Sequence, residues 1–408
     1  MSELPVVVVG AGAAGVMAAI FAAAGGRRVI LLERTRDGGR KILISGGGRC
    51  NILPSQMDPA QYVTDSSPAT LRNILRSWPL AEQIAFFEEE VGLRLVVEPE
   101  TGKLFPETNR ARDVRDGILA VARRRGVEIR FGATVRGAAP VPAGGGWRIA
   151  LDDGEIIAGA LVLATGGLSV PTTGSDGIGL AIARGLGHTI NPTYPALTPL
   201  TDDPPQYAEL AGISPVVGLE APVGRRRFTA EGGFLFTHRG YSGPAVLNIS
   251  HLAVRSRMRG GPPQEIFVRW TALGAAEWEA QFSARGTGTV ANVVRRHLPD
   301  RLADTLVREA GLDQTRTLAQ LRREERQRLI TALTHHPLPW TGDEGYRNAE
   351  VTGGGVALGE IDPRTMESRR HPGLFLCGEM LDAFGPIGGY NFLWAWVTGK
   401  AAGEGARP

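Results

Sequence analysis

The stretch Val6–Gly15, VVVVGAGAAG, limits the fold more than any other part of the chain. Val6–Val9 is a β-branched apolar run, and the glycine turn Gly10–Gly15 follows at once. Ala13–Ala24 then reads as a helix of small residues and Arg28–Leu32 as a second buried strand. Strand, turn, helix and strand in this order make a βαβ unit, whose two strands run parallel.

The turn has the form GxGxxG, with Ala13 and Ala14 between the second and third glycines. Gly10 permits the tight turn. Gly12 lets the backbone approach a pyrophosphate, and Gly15 lets the helix pack closely on the strand. The helix N-terminus offers N–H groups and a partial positive charge to the phosphates. Glu33 ends the second strand, 18 residues after Gly15. A carboxylate there accepts from both ribose hydroxyls and repels a 2′-phosphate. The chain is therefore expected to bind a dinucleotide.

Residues 4–26 are also apolar for long enough to span a bilayer. The segment lacks a basic leader, and Glu3 sits where a signal peptide carries positive charge. Its glycines already have a role in the turn, so no membrane partner is expected. The formal net charge is only +3 and is spread along the chain, which argues against a nucleic-acid stripe. Nearly all the basic residues are arginine; lysine occurs only at Lys41, Lys103 and Lys400. The two cysteines, Cys50 and Cys377, are far apart and form no CxxC pair, which fits a reducing cytoplasm. His335 and His336 are adjacent, so on a helix they diverge, and no metal site is expected.

A chain of 408 residues exceeds one simple core. Gly38–Asn51 reads as a loop of special backbone, and Leu71–Val91 as helix broken at Pro79. Asp113–Arg125 reads as a helix and Val127–Val135 as a strand. Ala138–Gly159 reads as an antiparallel excursion turning at GGG (144–146) and DDG. Leu161–Ala164 returns as a buried strand, followed by a helix over Asp176–Leu186. From Pro192 the chain is rich in proline, glycine and short β-prone runs. It is helical from Thr289, then reverts to glycine loops around a buried strand at Leu374–Cys377 and a final helix from about Asn391. The expected organisation is an α/β Rossmann-like domain over 1–191, completed by 347–408. An inserted domain over 192–346 is β-rich in 192–270 and helical in 289–336.

Four further segments bring in a family. They are Arg40–Asn51 (RKILISGGGRCN), Ala164–Gly167 (ATGG), Gly174–Gly187 (GSDGIGLAIARGLG) and Gly373–Asn391 (GLFLCGEMLDAFGPIGGYN). With Phe236–Ser250 and Val351–Gly355, they make the chain resemble the bacterial HI0933-like flavoproteins, also called aminoacetone-oxidase-like or BaiN-like. The resemblance runs over essentially the whole chain. More distantly, it is similar to the fumarate-reductase branch of FAD enzymes. It departs from the family after Asn51, where Thr-Asn is common and Ile52-Leu53-Pro54 stands here, so contacts at the flavin edge are expected to differ.

The resemblance implies that the dinucleotide is FAD. It assigns to that cofactor the GxGxxG residues, Glu33 and Arg34, and a wrapping loop with Arg40, Lys41, Ser45, Gly46, Gly47, Arg49 and Asn51. It adds backbone at Val135, then Thr165 and Gly166, and Gly378 with Glu379 at a strand end. Gly389, Asn391 and Phe392 open the last helix. That helix's N-terminus would face the flavin C2 carbonyl, where reduced flavin gathers negative charge. His238 and Tyr241 flank glycines in the insert and are the candidates for facing substrate near the domain interface. Cys50 and Cys377 read as packing residues.

The function implied is an FAD-dependent oxidoreductase transferring hydride at flavin N5. An NAD(P)H-driven reductase of a small conjugated substrate leads. An oxidase of a small amine, using O₂, stands beside it. An FAD-dependent RNA-modifying protein is the third reading, set back by the acidic residues among the arginines after Thr289. No second GxGxxG docks NAD(P)H as a domain of its own.

Overall fold

All four valines of β1 (Val6–Val9) are buried, because β1 is the middle strand of a five-stranded parallel sheet. The computed structural model describes residues 3–142, 145–283 and 288–407. β1 pairs on one side with β2 (Val29–Glu33) and on the other with β4 (Ala160–Leu163), Val6 lying opposite both Val29 and Ala160. β3 (Glu128–Phe131) extends the sheet beyond β2, and β5 (Leu374–Leu376) extends it beyond β4. The order is β5-β4-β1-β2-β3. Parallel strands covered on both faces read as unbroken apolar runs, which is why VVVV and ALVL show no alternation.

The chain divides into two units, Met1–Pro195 with Glu350–Pro408, and Ala196–Ala349. In the first, α1 (Ala13–Ala23) lies against α5 (Tyr390–Gly405). A Cβ on Gly399 would stand 2.4 Å from Ala14 O, and one on Gly403 2.3 Å from Ala18 O. Small residues on both helices allow this approach. It accounts for a helix that is apolar nearly all round. Among the described residues no helix is long and apolar enough to cross a membrane.

Several elements differ from their sequence reading. The stretch Val127–Val135 is two strands in different sheets. The chain turns at Gly132 (φ +76), and Val135 begins the strand Val135–Pro140 instead of ending one. That strand forms an antiparallel sheet with Trp147–Leu151 and Gly154–Ala158. Of its GGG turn, Gly144 lies outside the described residues. The loop Gly38–Asn51 contains a short helix, α2 (Arg40–Ile44). The helical stretch before Val91 starts earlier, at Pro68. It breaks before Leu80, where Pro79 cannot donate to the preceding turn, and ends in a π-helical turn over Phe86–Val91. Helices α3 (Ala111–Arg124) and α4 (Ile178–Gly185) complete the labelled elements of this unit.

The second unit has its own core, with Trp270, Trp278, Phe234 and Phe236 buried. Two four-stranded sheets, one of them carrying the hairpin Val216–Val223/Arg226–Gly233, pack with helices. One 15-residue helix, Pro244–Met258, runs inside the stretch that reads as β-rich. His335 ends the helix Arg323–Thr334 and His336 begins a strand, so the two do not share a helix.

Candidate cofactor site

The glycine turn faces open space at one glycine and packed chain at another. Among the described residues, no atom lies within 4 Å of where a Cβ on Gly12, the N-cap of α1, would be. No side chain caps α1 and no acidic residue lies in its first turn. A Cβ on Gly15 would lie 1.8 Å from Gly10 O, so this position tolerates hydrogen alone. At the end of β2, Glu33 Oε2 accepts from Ala11 N at 2.9 Å. Its Oε1 accepts from Thr35 N at 2.8 Å and Thr35 Oγ1 at 2.7 Å.

These groups border a cavity of about 640 Å³ whose lining belongs wholly to the first unit. Gly10, Gly12, Ala13, Ala14, Glu33 and Arg34 line it beside the turn. From the loop come Arg40, Lys41, Ser45, Gly46, Gly47, Arg49 and Asn51. Val135, Thr165 and Gly166 follow, then Gly378, Glu379, Gly389, Asn391 and Phe392. Gly15 alone of the cofactor candidates stands behind the wall, in keeping with packing. His238 and Tyr241 do not line it. His238 is exposed in the turn between Leu235–Thr237 and Gly240–Ser242, and Tyr241 is buried among Phe234, Phe236 and Tyr207 in the second unit.

The loop owes its path to left-handed residues, Gly39, Gly46, Gly47, Gly48 and Cys50. Cys50 is buried at φ 60, and burial pushes its thiol up to about 12, so it has no thiolate to offer near neutral pH. Cys377 is buried as well. Arg49 donates to Glu98 at 2.9 Å and lies 4.2 Å from the Phe105 ring centre. Arg40 donates to Asp37 at 2.7 Å, and Arg34 pairs with Asp176.

Lys41 ties the loop to the far end of the chain. Its Nζ lies 2.7 Å from both Ser169 Oγ and Glu379 Oε2. Glu379 Oε1 accepts from Ser169 Oγ at 2.5 Å and from Thr352 N at 3.1 Å. Glu379 sits in the short turn Gly378–Met380 after β5. Asn391 closes its own loop, its amide exchanging hydrogen bonds with Gly385 N and Gly385 O, both at 2.9 Å.

Lys103 and Glu350 also line the cavity, and sequence reasoning did not single out either. Lys103 has one signal, lysine's scarcity in an arginine-rich chain. Glu350 directly precedes VTGGG and has no signal of its own.

The residues present fit a polyanionic dinucleotide with a planar ring. Among the described residues, Asn51 Oδ1 and Thr165 Oγ1 are buried polar atoms without a hydrogen-bond partner, and both residues border the cavity. Buried polar groups of this kind need a partner. The N-termini of α1 and α5 lack side-chain caps, and their N-caps Gly12 and Gly389 line the cavity. Their dipoles favour negative charge. Lys41 and Lys103 add cations.

The profile of the HI0933-like protein Rossmann domain matches residues 4–405. A ribosomal RNA dihydrouridine synthase of Escherichia coli is 34% identical over 99% of this chain and 98% of its own. A 3-dehydro-bile acid delta(4,6)-reductase of Clostridium scindens is 33% identical over 98% of each. Among solved structures, a 3-ketosteroid delta1-dehydrogenase of Sterolibacterium denitrificans superposes with a TM-score of 0.52 over 99% of both chains. At 12% identity, that likeness shows a shared fold. With the cavity, its glycine turn and a match over nearly its whole length, the chain belongs to the HI0933-like family of FAD-dependent oxidoreductases.

Proposed function

We propose that the chain holds FAD in this cavity and reduces a carbon–carbon double bond conjugated to a carbonyl, with NAD(P)H as electron donor. The observation that carries the reading is the grouping of Lys103 and Glu350, a cation and an acid, on the wall of a cavity that otherwise suits the cofactor. Reduction of such a bond places negative charge on the carbonyl oxygen and a proton on carbon, and these two side chains serve those needs. Bound flavin supplies the hydride.

In this reading the N-terminus of α1 takes the pyrophosphate and Glu33 the ribose. Lys41, Asn51 and Thr165 hold polar groups further along the cofactor, and the N-terminus of α5 faces the ring. The names of the two relatives support the reaction class. Dihydrouridine is uridine saturated at a bond conjugated to a carbonyl, and a delta(4,6)-reductase of a 3-dehydro compound acts on a bond of the same kind. The dihydrouridine synthase at 34% identity favours a second substrate reading, uridine in RNA.

Purified protein should be yellow; protein that stays colourless and takes up no FAD would sink the assignment. Anaerobic holoenzyme should bleach with NADH or NADPH and be reoxidised by an electron-poor alkene. A 3-oxo-4,6-diene steroid, 2-cyclohexen-1-one and ribosomal RNA separate the substrate readings. Bleaching by aminoacetone, with rapid reoxidation in air, would replace the reductase with an oxidase.

A further inference from the structure

We propose that Glu350 is the proton donor of this reduction, a role that rests on the reading just given. Among the described residues, four carboxylates line the cavity: Glu33, Asp176, Glu350 and Glu379. Three are committed. Glu33 is held by Ala11 and Thr35, Asp176 by Arg34, and Glu379 by Lys41, Ser169 and Thr352. Among the described residues, the Glu350 carboxyl has no hydrogen bond or ion pair. Its backbone is anchored, since the buried strand Val351–Val356 follows directly. The result is a fixed main chain presenting a carboxyl with both oxygens available.

Glu350 is exposed, yet it borders the cavity and the surrounding chain crowds it. That crowding pushes its carboxyl above the usual range, against the pull of Lys41 and Lys103. An acid raised toward neutrality suits proton donation, because it keeps its proton nearer working pH. Lys41 and Lys103 are close enough to pull on it, and they offset the carboxylate that remains after transfer.

The step balances. Hydride forms the new bond at the β-carbon, and the π pair shifts toward the α-carbon and the carbonyl oxygen. The Glu350 O–H bond breaks as the α-carbon–hydrogen bond forms. The substrate gains two electrons, which NAD(P)H loses overall, and water reprotonates the carboxylate.

The test compares wild-type holoenzyme with Glu350→Gln and Glu350→Asp. The absorbance of bound FAD is titrated with pH, independently of turnover. The wild type should show a carboxyl step that Glu350→Gln lacks and Glu350→Asp keeps. Reoxidation of reduced holoenzyme by 2-cyclohexen-1-one should slow by about 100-fold or more in Glu350→Gln. Part of the rate should return in Glu350→Asp. Coincident titration curves would overturn the proposal, as would enone reoxidation of Glu350→Gln at the wild-type rate. If the titration step depends on Glu350 but no electron-poor alkene reoxidises the wild type, the failure lies in the reductase reading, and the proton-donor role goes with it.

Discussion

Lys41 Nζ lies 2.7 Å from Glu379 Oε2 across 338 positions of sequence, and the pair joins the two ends of the chain at the wall of one cavity. Both side chains are mostly shielded, at 27% and 17% exposed, and Ser169 Oγ bonds both. Removing one partner leaves the other charge poorly compensated. Lys41→Met should weaken FAD binding about ten- to a hundredfold, or about 1–3 kcal/mol. Lys41→Arg should not restore it, since a planar guanidinium does not replace a compact ammonium between these oxygens. Fluorescence titration of apoprotein with FAD reads the effect; wild-type affinity in Lys41→Met would remove the pair from the site.

The two glycines of the turn should separate folding from cofactor retention. Gly12→Val adds a side chain to open space, so the protein should fold with an unchanged circular dichroism spectrum and fail to retain FAD. Gly15→Ala forces a Cβ against Gly10 O, and it should lower stability as well as occupancy. A Gly12→Val protein with full FAD occupancy would show that the pyrophosphate lies elsewhere.

Buried histidines, His251 and His336 foremost, set an acid limit on stability. Burial lowers His251 and His336 from the usual 6.5 to about 4. His336 also lies 2.9 Å from Tyr207 Oη. Between pH 6.5 and 4 the unfolded chain takes up protons that the folded chain refuses, so stability falls as pH falls. The slope is about 1.4 kcal/mol per pH unit for each histidine. Urea midpoints between pH 7 and 4.5 measure it. His336→Phe should flatten the slope, and an unaltered slope would place its origin elsewhere.

Asp382 should be a stability hub. Its Oδ2 accepts from Asp65 N at 3.1 Å, Ser66 Oγ at 2.7 Å and Asn191 Nδ2 at 2.7 Å, and its backbone oxygen accepts from Thr64 Oγ1 at 2.6 Å. Its neighbour Ala383 lines the cavity. Asp382→Ala leaves several donors without their acceptor and should cost about 3 kcal/mol in urea unfolding. A loss below 1 kcal/mol would mean that water replaces the carboxylate.

The βαβ unit was legible because its signals are local: a glycine turn between two apolar runs, then Glu33 at a fixed spacing. Val135 was misread as a strand end because the β-prone run Val127–Val135 hides the turn at Gly132, where the chain leaves one sheet for another. The helix α2 was hidden inside a glycine-rich segment, between left-handed Gly39 and the left-handed run that starts at Gly46. The chain's three lysines hinted at Lys103, since two of them border the cavity. Glu350 had no such mark; its importance comes from what the other three cavity acids are bonded to, which spacing does not encode.

Residues 378–392 wall the cavity and follow its other walls in the order of synthesis. A nascent chain that stops short of β5 holds β1, β2 and β4, but β4 is then an open sheet edge and α1 has no α5 to cover it. The cavity is therefore complete only once β5 and α5 are in place. Until then the small-residue face of α1 stays uncovered.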